Sequence, residues 1–306
     1  MTEKNELEIL ADQIRIETLH ALEHVGAGHV GGCMSIAELL AVLYGKVMTV
    51  RPQEPSWPGR DWLIVSKGHC GPAVYAALAL KGYFPMEDLK TVNQGGTNYP
   101  SHCDRNKTPG IDMTTGSLGQ GMSSGIGICW ANRYLHRDSR TYIILGDGEL
   151  QEGQIWEGAL FAAQQKLGKL TVFVDRNKKQ LDGYTEDICG LGSISDKFKA
   201  FGWHAQNCSG HDVEAIESAI RKAGEVPLLP SVIILDTIKG KGCPFTEDVF
   251  YNHHVKFTPE QNRHAIKALT ETIETLRKGD KDHVVRMQRN ETGTKRNESG
   301  VCRVHG

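Results

Sequence analysis

Gly146-Asp-Gly-Glu149 and Asp175-Arg-Asn177-Lys-Lys179 hold the residue types that fix a divalent cation against phosphate. A carboxylate, an amide oxygen and a backbone carbonyl are hard oxygen ligands of the kind Mg²⁺ or Ca²⁺ takes, and three of them leave positions for phosphate oxygens. The residues after Asp147 are expected to open a helix whose free amides can hold an anion. Each cluster ends an apolar strand-like run, Tyr142–Leu145 and Leu170–Val174, and Gln154–Lys166 between them reads as a helix. A right-handed βαβ crossover makes the two strands parallel, so both clusters open on the sheet edge where doubly wound folds bind ligands. Asp147 and Asn177 are therefore expected to meet in a metal-bridged diphosphate site.

Four histidines stand in or beside loops of the same kind. His29 is bracketed by glycines, His69 follows the run Trp62–Val65, His102 lies in the long loop 95–111, and His253, next to His254, comes after the run Ser231–Leu235 and its Lys239 and Lys241. A single loop histidine is more often solvated than catalytic, but strand ends on one edge of one sheet can converge.

The elements that must position these residues read as follows. A helix over 3–25 has apolar residues at helical spacing (Leu7, Leu10, Ile14, Leu22) and stops at the glycine-rich 26–32. A second helix over 35–47 begins with the apparent capping box Ser35-Ile-Ala-Glu38. Further helices are expected over 72–82, from about 121 to 134, over 196–201 and 213–223, and over 258–278. Residues 182–195 read as a glycine-spaced loop. This alternation predicts an α/β fold, a mostly parallel doubly wound sheet with helices on both faces, over 1–278. Residues 279–306 are polar and basic and are expected to form a flexible tail.

With 35 Lys plus Arg against 37 Asp plus Glu, no strong field argues for nucleic acid or an anionic membrane as partner. No apolar run approaches the ~20 residues of a membrane span, and the first residues lack the basic and apolar regions of a signal peptide, so a cytoplasmic location is expected. The eight cysteines show no C-x-x-C spacing and read as reduced, mostly buried thiols. His69-Cys70 and His102-Cys103 invite a metal reading but are not expected to make a metal site, because adjacent side chains seldom point at one ion.

Taken in order, GHVGGCMS, SKGHCGPAVYAAL, PSHCD, TPGIDMTTGSLGQG, GDGELQEGQIWEGA, VDRNKKQLDG and TIKGKG followed by NHH make the sequence similar to the N-terminal, diphosphate-binding half of transketolases, in the form that occurs as a separate subunit. The resemblance covers roughly residues 7–270. It implies that Asp147, the Asn177 side chain and the Lys179 backbone carbonyl bind Mg²⁺ (or Ca²⁺). It also implies that Gly148, His69, Lys239 and His253 hold the diphosphate of thiamine diphosphate, and that Gly116, Ser117 and Leu118 line the cofactor near its thiazolium ring. His29, His69, His102 and His253 would surround the sugar and move protons, and imidazoles suit that because they titrate near neutrality. Glu152 and Glu157 match family glutamates at the subunit contact.

Two positions depart from the family pattern. Lys179 stands where an aliphatic residue is usual, and Asn252 replaces the aromatic before the late histidine, whose register falls on His253 or His254; His253 is preferred. The family's ring-activating glutamate and the basic cluster that grips the sugar's terminal anion belong to a second domain that nothing after residue 270 resembles. The expected activity is transfer of a two-carbon ketol unit from a ketose with a terminal phosphate or other anion, sulfonate included, to an aldose. It would require a C-terminal, pyrimidine-binding transketolase subunit, with a two-plus-two heterotetramer expected. The alternatives are another thiamine diphosphate enzyme (a 2-oxo acid dehydrogenase E1 component or a 1-deoxyxylulose phosphate synthase) and a non-catalytic regulatory homologue. The ordered histidines with GSLGQG argue against the first, and the intact ligand set against the second. A nucleotide-binding Rossmann protein is disfavoured because no G-x-G-x-x-G follows a first strand.

Overall fold

A computed structural model of the chain describes residues 1–247 and 249–297, with side chains as far as residue 279. Helix α1 (Glu3–Glu23) starts at Thr2, whose hydroxyl accepts the Asn5 N–H, and is followed by the two-residue strand β1 (Ala27–Gly28), α2 (Val30–Met34) and α3 (Ala37–Val42). Strand β2 (Trp62–Val65) turns through Gly68–Cys70 into α4 (Gly71–Lys81), which ends at Gly82 with φ 91°. After a long irregular stretch come α5 (Gln120–Tyr134), β3 (Thr141–Gly146), α6 (Gly153–Gln164) and β4 (Leu170–Arg176). Next are α7 (Thr185–Cys189), α8 (Ile194–Ala200), β5 (His204–Ser209), α9 (Val213–Gly224) and β6 (Ser231–Asp236). The chain continues through α10 (Pro244–Glu247), β7 (Val255–Lys256) and α11 (Pro259–Asn297).

The main sheet has the order β2-β3-β4-β6-β5 and is parallel throughout, as the alternation predicts. Its inner strands are buried on both faces, which is why they read as unbroken apolar runs. Tyr142, Ile144, Phe173, Ile233 and Leu235 pack into one core with α1, α3, α4 and α9. Their neighbours Ile143, Leu145, Val172, Val174 and Ile234 pack into a second core with α5, α6 and α8. The register sets Gly146 beside Asp175 and Asp175 beside Leu235, so the ends of β3, β4 and β6 finish level.

Several sequence-based expectations need correcting. Strand β5 was not anticipated: it is an edge strand with half-exposed, polar residues and no apolar run to mark it. The single helix expected over 35–47 is α3 plus a π-type turn at Leu43–Val47, preceded by the separate α2. The capping box does not form. Ser35 Oγ donates to Gly32 O at 3.0 Å and to Asp175 Oδ2 at 2.8 Å, while Glu38 is taken by Arg15 at 2.7 Å, because buried charges recruit the polar groups that would otherwise cap the helix. The loop expected over 182–195 contains α7. The closing helix runs beyond 278 to Asn297; the tail expected from 279 therefore begins as helical backbone, and residues 298–306 lie outside the described residues. Among the described residues no helix is long and apolar enough to cross a membrane, and all cysteines are free thiols, most of them buried.

Candidate active site

Asp175 ends the buried part of β4 with no exposed surface, so its charge must be matched from within. Its Oδ2 accepts from Lys67 Nζ at 2.6 Å, Asn177 Nδ2 at 2.7 Å and Ser35 Oγ at 2.8 Å, and its Oδ1 accepts from the Thr237 hydroxyl. Burial pushes the carboxyl up, but Lys67 and these donors outweigh it and leave it below the usual carboxylate range. One anion thereby ties together the ends of β2, β4 and β6 and the junction of α2 with α3. Sequence reasoning passed over Asp175 and Lys67; the signal present was a charge at the end of an apolar parallel strand. A second such knot is Glu149, buried, which accepts from Ser66 Oγ, from Gly119 N at 2.8 Å and from Gly146 N at 3.1 Å. It joins β2, β3 and the start of α5.

On this frame sits a cavity of about 350 Å³ whose walls include Asp147, Gly148, Asn177, Lys179, Lys239 and His253. His69 and Leu118 also face it. Asp147 accepts Gly148 N at 2.9 Å and Lys178 N at 2.6 Å. Burial and then the neighbouring Asp175 push its carboxyl up to about 6, an environment that a cation would relieve. Asn177 Oδ1 accepts Lys179 N at 3.1 Å, and the Lys179 carbonyl accepts Lys239 Nζ at 2.8 Å. Among the described residues no group of three or more His, Cys, Asp or Glu side chains could hold a metal alone. One carboxylate, one amide and one carbonyl instead match a metal completed by a ligand's phosphate oxygens, and Lys239 adds a cationic group to the same walls. Burial, then Lys67, lowers the Lys239 amine to about 8. The residues present thus fit a metal-diphosphate group. The helix expected at Gly148 is only a single 3₁₀ turn, Gly148–Gln151, and α6 begins after it at Gly153.

The histidines converge beside this cavity. The His29 ring centroid lies 5.1 Å from His69, 5.7 Å from His102, 5.2 Å from His253 and 4.8 Å from His254, and His69 is 4.8 Å from His253. Strand β1 pairs antiparallel with β7, Gly28 opposite Val255, which brings His29 and the pair His253-His254 together across the chain. His254 therefore also belongs to the cluster, although of the two only His253 lines this cavity and approaches Lys239, at 3.2 Å. Burial, then His69, lowers His29 to about 4; burial and His69 lower His102; burial, then Lys239, lowers His253 to about 3. At neutral pH these three rings are neutral, each able to donate from one nitrogen and accept on the other.

Of the other expected residues, Leu118 lines the cavity, whereas Ser117 is exposed and outside its walls. Gly116, at φ 144°, passes so close to His102 that an added Cβ would meet the ring at 3.1 Å. Glu152 and Glu157 are exposed, the former at the cavity rim. The departure at Lys179 leaves its ammonium anchored on Val249 O at 3.1 Å. Asn252 is buried and donates to Lys239 O at 3.1 Å and Thr246 O at 2.8 Å, so it fastens the Lys239 loop to the segment carrying His253. That segment presses on Gly31, where an added Cβ would lie 2.2 Å from Asn252 O. The Lys239 loop is also held from behind. His211 Nε2 accepts the Ile238 N–H at 2.8 Å, and its Nδ1 lies 3.1 Å from Glu38 Oε2, within ion-pair reach though not aligned as a hydrogen bond.

Residues 7–270 match the family described as transketolase, thiamine diphosphate binding domain. The chain is 50% identical over 264 residues to the 6-deoxy-6-sulfo-D-fructose transketolase subunit SqwG of Clostridium sp. (strain MSTE9), covering 86% of this chain and 96% of that one. It is 36% identical to an apulose-4-phosphate transketolase subunit of Phocaeicola vulgatus, covering 89% and 96%. Among solved structures, a Pichia stipitis transketolase variant in complex with fructose 6-phosphate superposes with a TM-score of 0.79 at 27% identity, over 93% of this chain and 46% of that one. The chain thus spans about half the length of the solved transketolases it matches.

Proposed function

Because the chain belongs to the transketolase family, in its thiamine diphosphate-binding domain, we propose that it is the diphosphate-binding subunit of a two-subunit transketolase that moves a two-carbon ketol unit from a ketose to an aldose. The observation that carries the reading is the convergence of four histidine rings on His29, beside the cavity shared by Asp147, Asn177 and Lys239. When bound, thiamine diphosphate supplies the carbanion-stabilising chemistry by which a ketose C2–C3 bond can break.

This chain's own residues position and protonate. Asp147, Asn177 Oδ1 and the Lys179 carbonyl are the ligands proposed for Mg²⁺, with Lys239 and Gly148 on the diphosphate. Neutral His29 and His102 are placed to donate hydrogen bonds to a sugar's oxygens and to take or return a proton as charge moves between hydroxyl and carbonyl. His69 and His253 reach both the sugar side and the phosphate side. Gly116 and Leu118 keep a close apolar wall. A ketose with a terminal anion, phosphate or sulfonate, is the substrate class supported by the names of the two subunit relatives. Their spans, nearly coincident with this chain, support a separate partner carrying the pyrimidine-binding domain.

The test is to assay the purified chain with sulfonated and phosphorylated ketoses, alone and with a separate transketolase subunit that carries the pyrimidine-binding domain. Ketol transfer is expected only in the mixture. Turnover by the chain alone, or acyl transfer from a 2-oxo acid in place of ketol transfer, would overturn the reading.

A further inference from the structure

A second cavity, of about 500 Å³, opens at the other ends of β3 and β4, walled by residues 136–139, the close of α5 and the turn 166–169 after α6. The six residues of β3 separate it from Asp147, roughly 20 Å along the strand direction. It is outside the catalytic machinery, and no residue of the proposed ketol transfer lines it.

We propose that this cavity is an anion site for a small organic phosphate monoester. Arg133, His136, Arg137, Lys166 and Lys169 stand in its walls with a single acid, Asp138, which pairs with Lys169. Among the described residues no carboxylate lies within ion-pair reach of Arg133, Arg137 or Lys166. Basic residues after a helix are commonly there to satisfy its last carbonyls. Arg133 already does that, donating to the Gln165 carbonyl and to Gln165 Oε1 at 3.2 Å, which leaves Arg137 and Lys166 without such an employment.

Ser139, only 3% exposed, is part of the wall, with its Oγ enclosed. Cys129, Leu167, Pro227 and Leu228 give the cavity an apolar side, which favours an organic phosphate over the bare ion. That side is preformed: Gly168 packs so tightly that an added Cβ would sit 1.9 Å from Pro227 O. A monoester carries about −1.5 to −2 charges near neutrality, matching two unpaired cations.

The probes are AMP and inorganic phosphate, titrated calorimetrically into the full chain. The variants are Arg137→Gln/Lys166→Gln and, as control for the catalytic cavity, Lys239→Gln. AMP is expected to bind wild type and Lys239→Gln alike and more tightly than phosphate. The double substitution should weaken it at least ~10-fold, with affinity falling as salt rises. No AMP binding to wild type at ~10 mM overturns the site, as does binding that survives the double substitution or is lost in Lys239→Gln alone. Equal affinity for phosphate and AMP overturns the organic part of the ligand.

Discussion

The ammonium of Lys239 donates to the backbone carbonyl of Lys179 at 2.8 Å. That carbonyl is the third of the proposed metal ligands, so the amine and the metal would meet at one oxygen, and their like charges are expected to draw Lys239 toward phosphate when the site is loaded. Lys239→Gln is expected to leave the fold unchanged and to raise the Kd for Mg²⁺-thiamine diphosphate in the assembled enzyme by roughly 10–100-fold, the scale of one charge-assisted contact. Titration calorimetry decides this, and an unchanged Kd would remove Lys239 from the diphosphate.

Asp147→Ala separates binding from folding. Since burial and Asp175 hold the Asp147 carboxyl up at about 6, its ionisation works against the empty fold at neutral pH, and the variant's Tm without ligand is expected to equal or exceed wild type. The Tm increase on adding Mg²⁺ and thiamine diphosphate to the assembled enzyme should vanish. A retained increase would refute the metal reading.

The histidines are expected to divide into two classes in the assembled enzyme. His29→Ala and His102→Ala should keep cofactor affinity and lose catalytic efficiency by roughly 10²–10⁴. His69→Ala and His253→Ala should weaken both, and His254→Ala should do much less than His253→Ala. Equal cofactor loss across the set, or a larger effect at His254, would contradict the distinction between cavity wall and outer ring.

Acid stability should depend on Glu38. Burial raises its carboxyl, but Arg15 at 2.7 Å and His211 outweigh that and leave it at about 2. A carboxylate depressed in the fold stabilises fully above its unfolded value of ~4.3, and that contribution is lost as pH falls from there toward 2. Glu38→Gln should therefore flatten the decline of Tm between about pH 4.5 and 2.5. Arg15→Ala should cost on the order of 3–5 kcal/mol near neutrality, because Glu38 and Asp12 are left buried without their cation; chemical denaturation measures it.

What was legible in the sequence follows from how local each signal is. Strands β3, β4 and β6 were visible because burial on both faces makes them continuously apolar, and their ends then placed Asp147, Asn177 and Lys239 on one edge. Strand β5 was not visible, because an edge position lets His204-Ala-Gln-Asn-Cys-Ser209 alternate without apolar contrast. Ser35 read as a cap because its partner on Asp175 is 140 residues away, and no local pattern reports that distance. The Asp175–Lys67 knot and the grip of His211 on the Lys239 loop were hidden for the same reason. A buried charge announces only that it needs partners, not where in the chain they lie.

The pairing of Ala27–Gly28 with Val255–Lys256 also sets an order of events in synthesis. The first half of the histidine cluster is made early and the second almost at the end, so the sheet can be complete while the catalytic edge is still open. Closing a loop of this length costs little more than closing a shorter one, since the entropy grows only logarithmically, but the encounter is a late one. A chain that has emerged from the ribosome only as far as residue 250 would carry Asp147 and Asn177 in place, lack His253, and hold Lys239 on a loop not yet fastened by Asn252. Such an intermediate could be recognised by the chain's own cofactor before it had any means of using it.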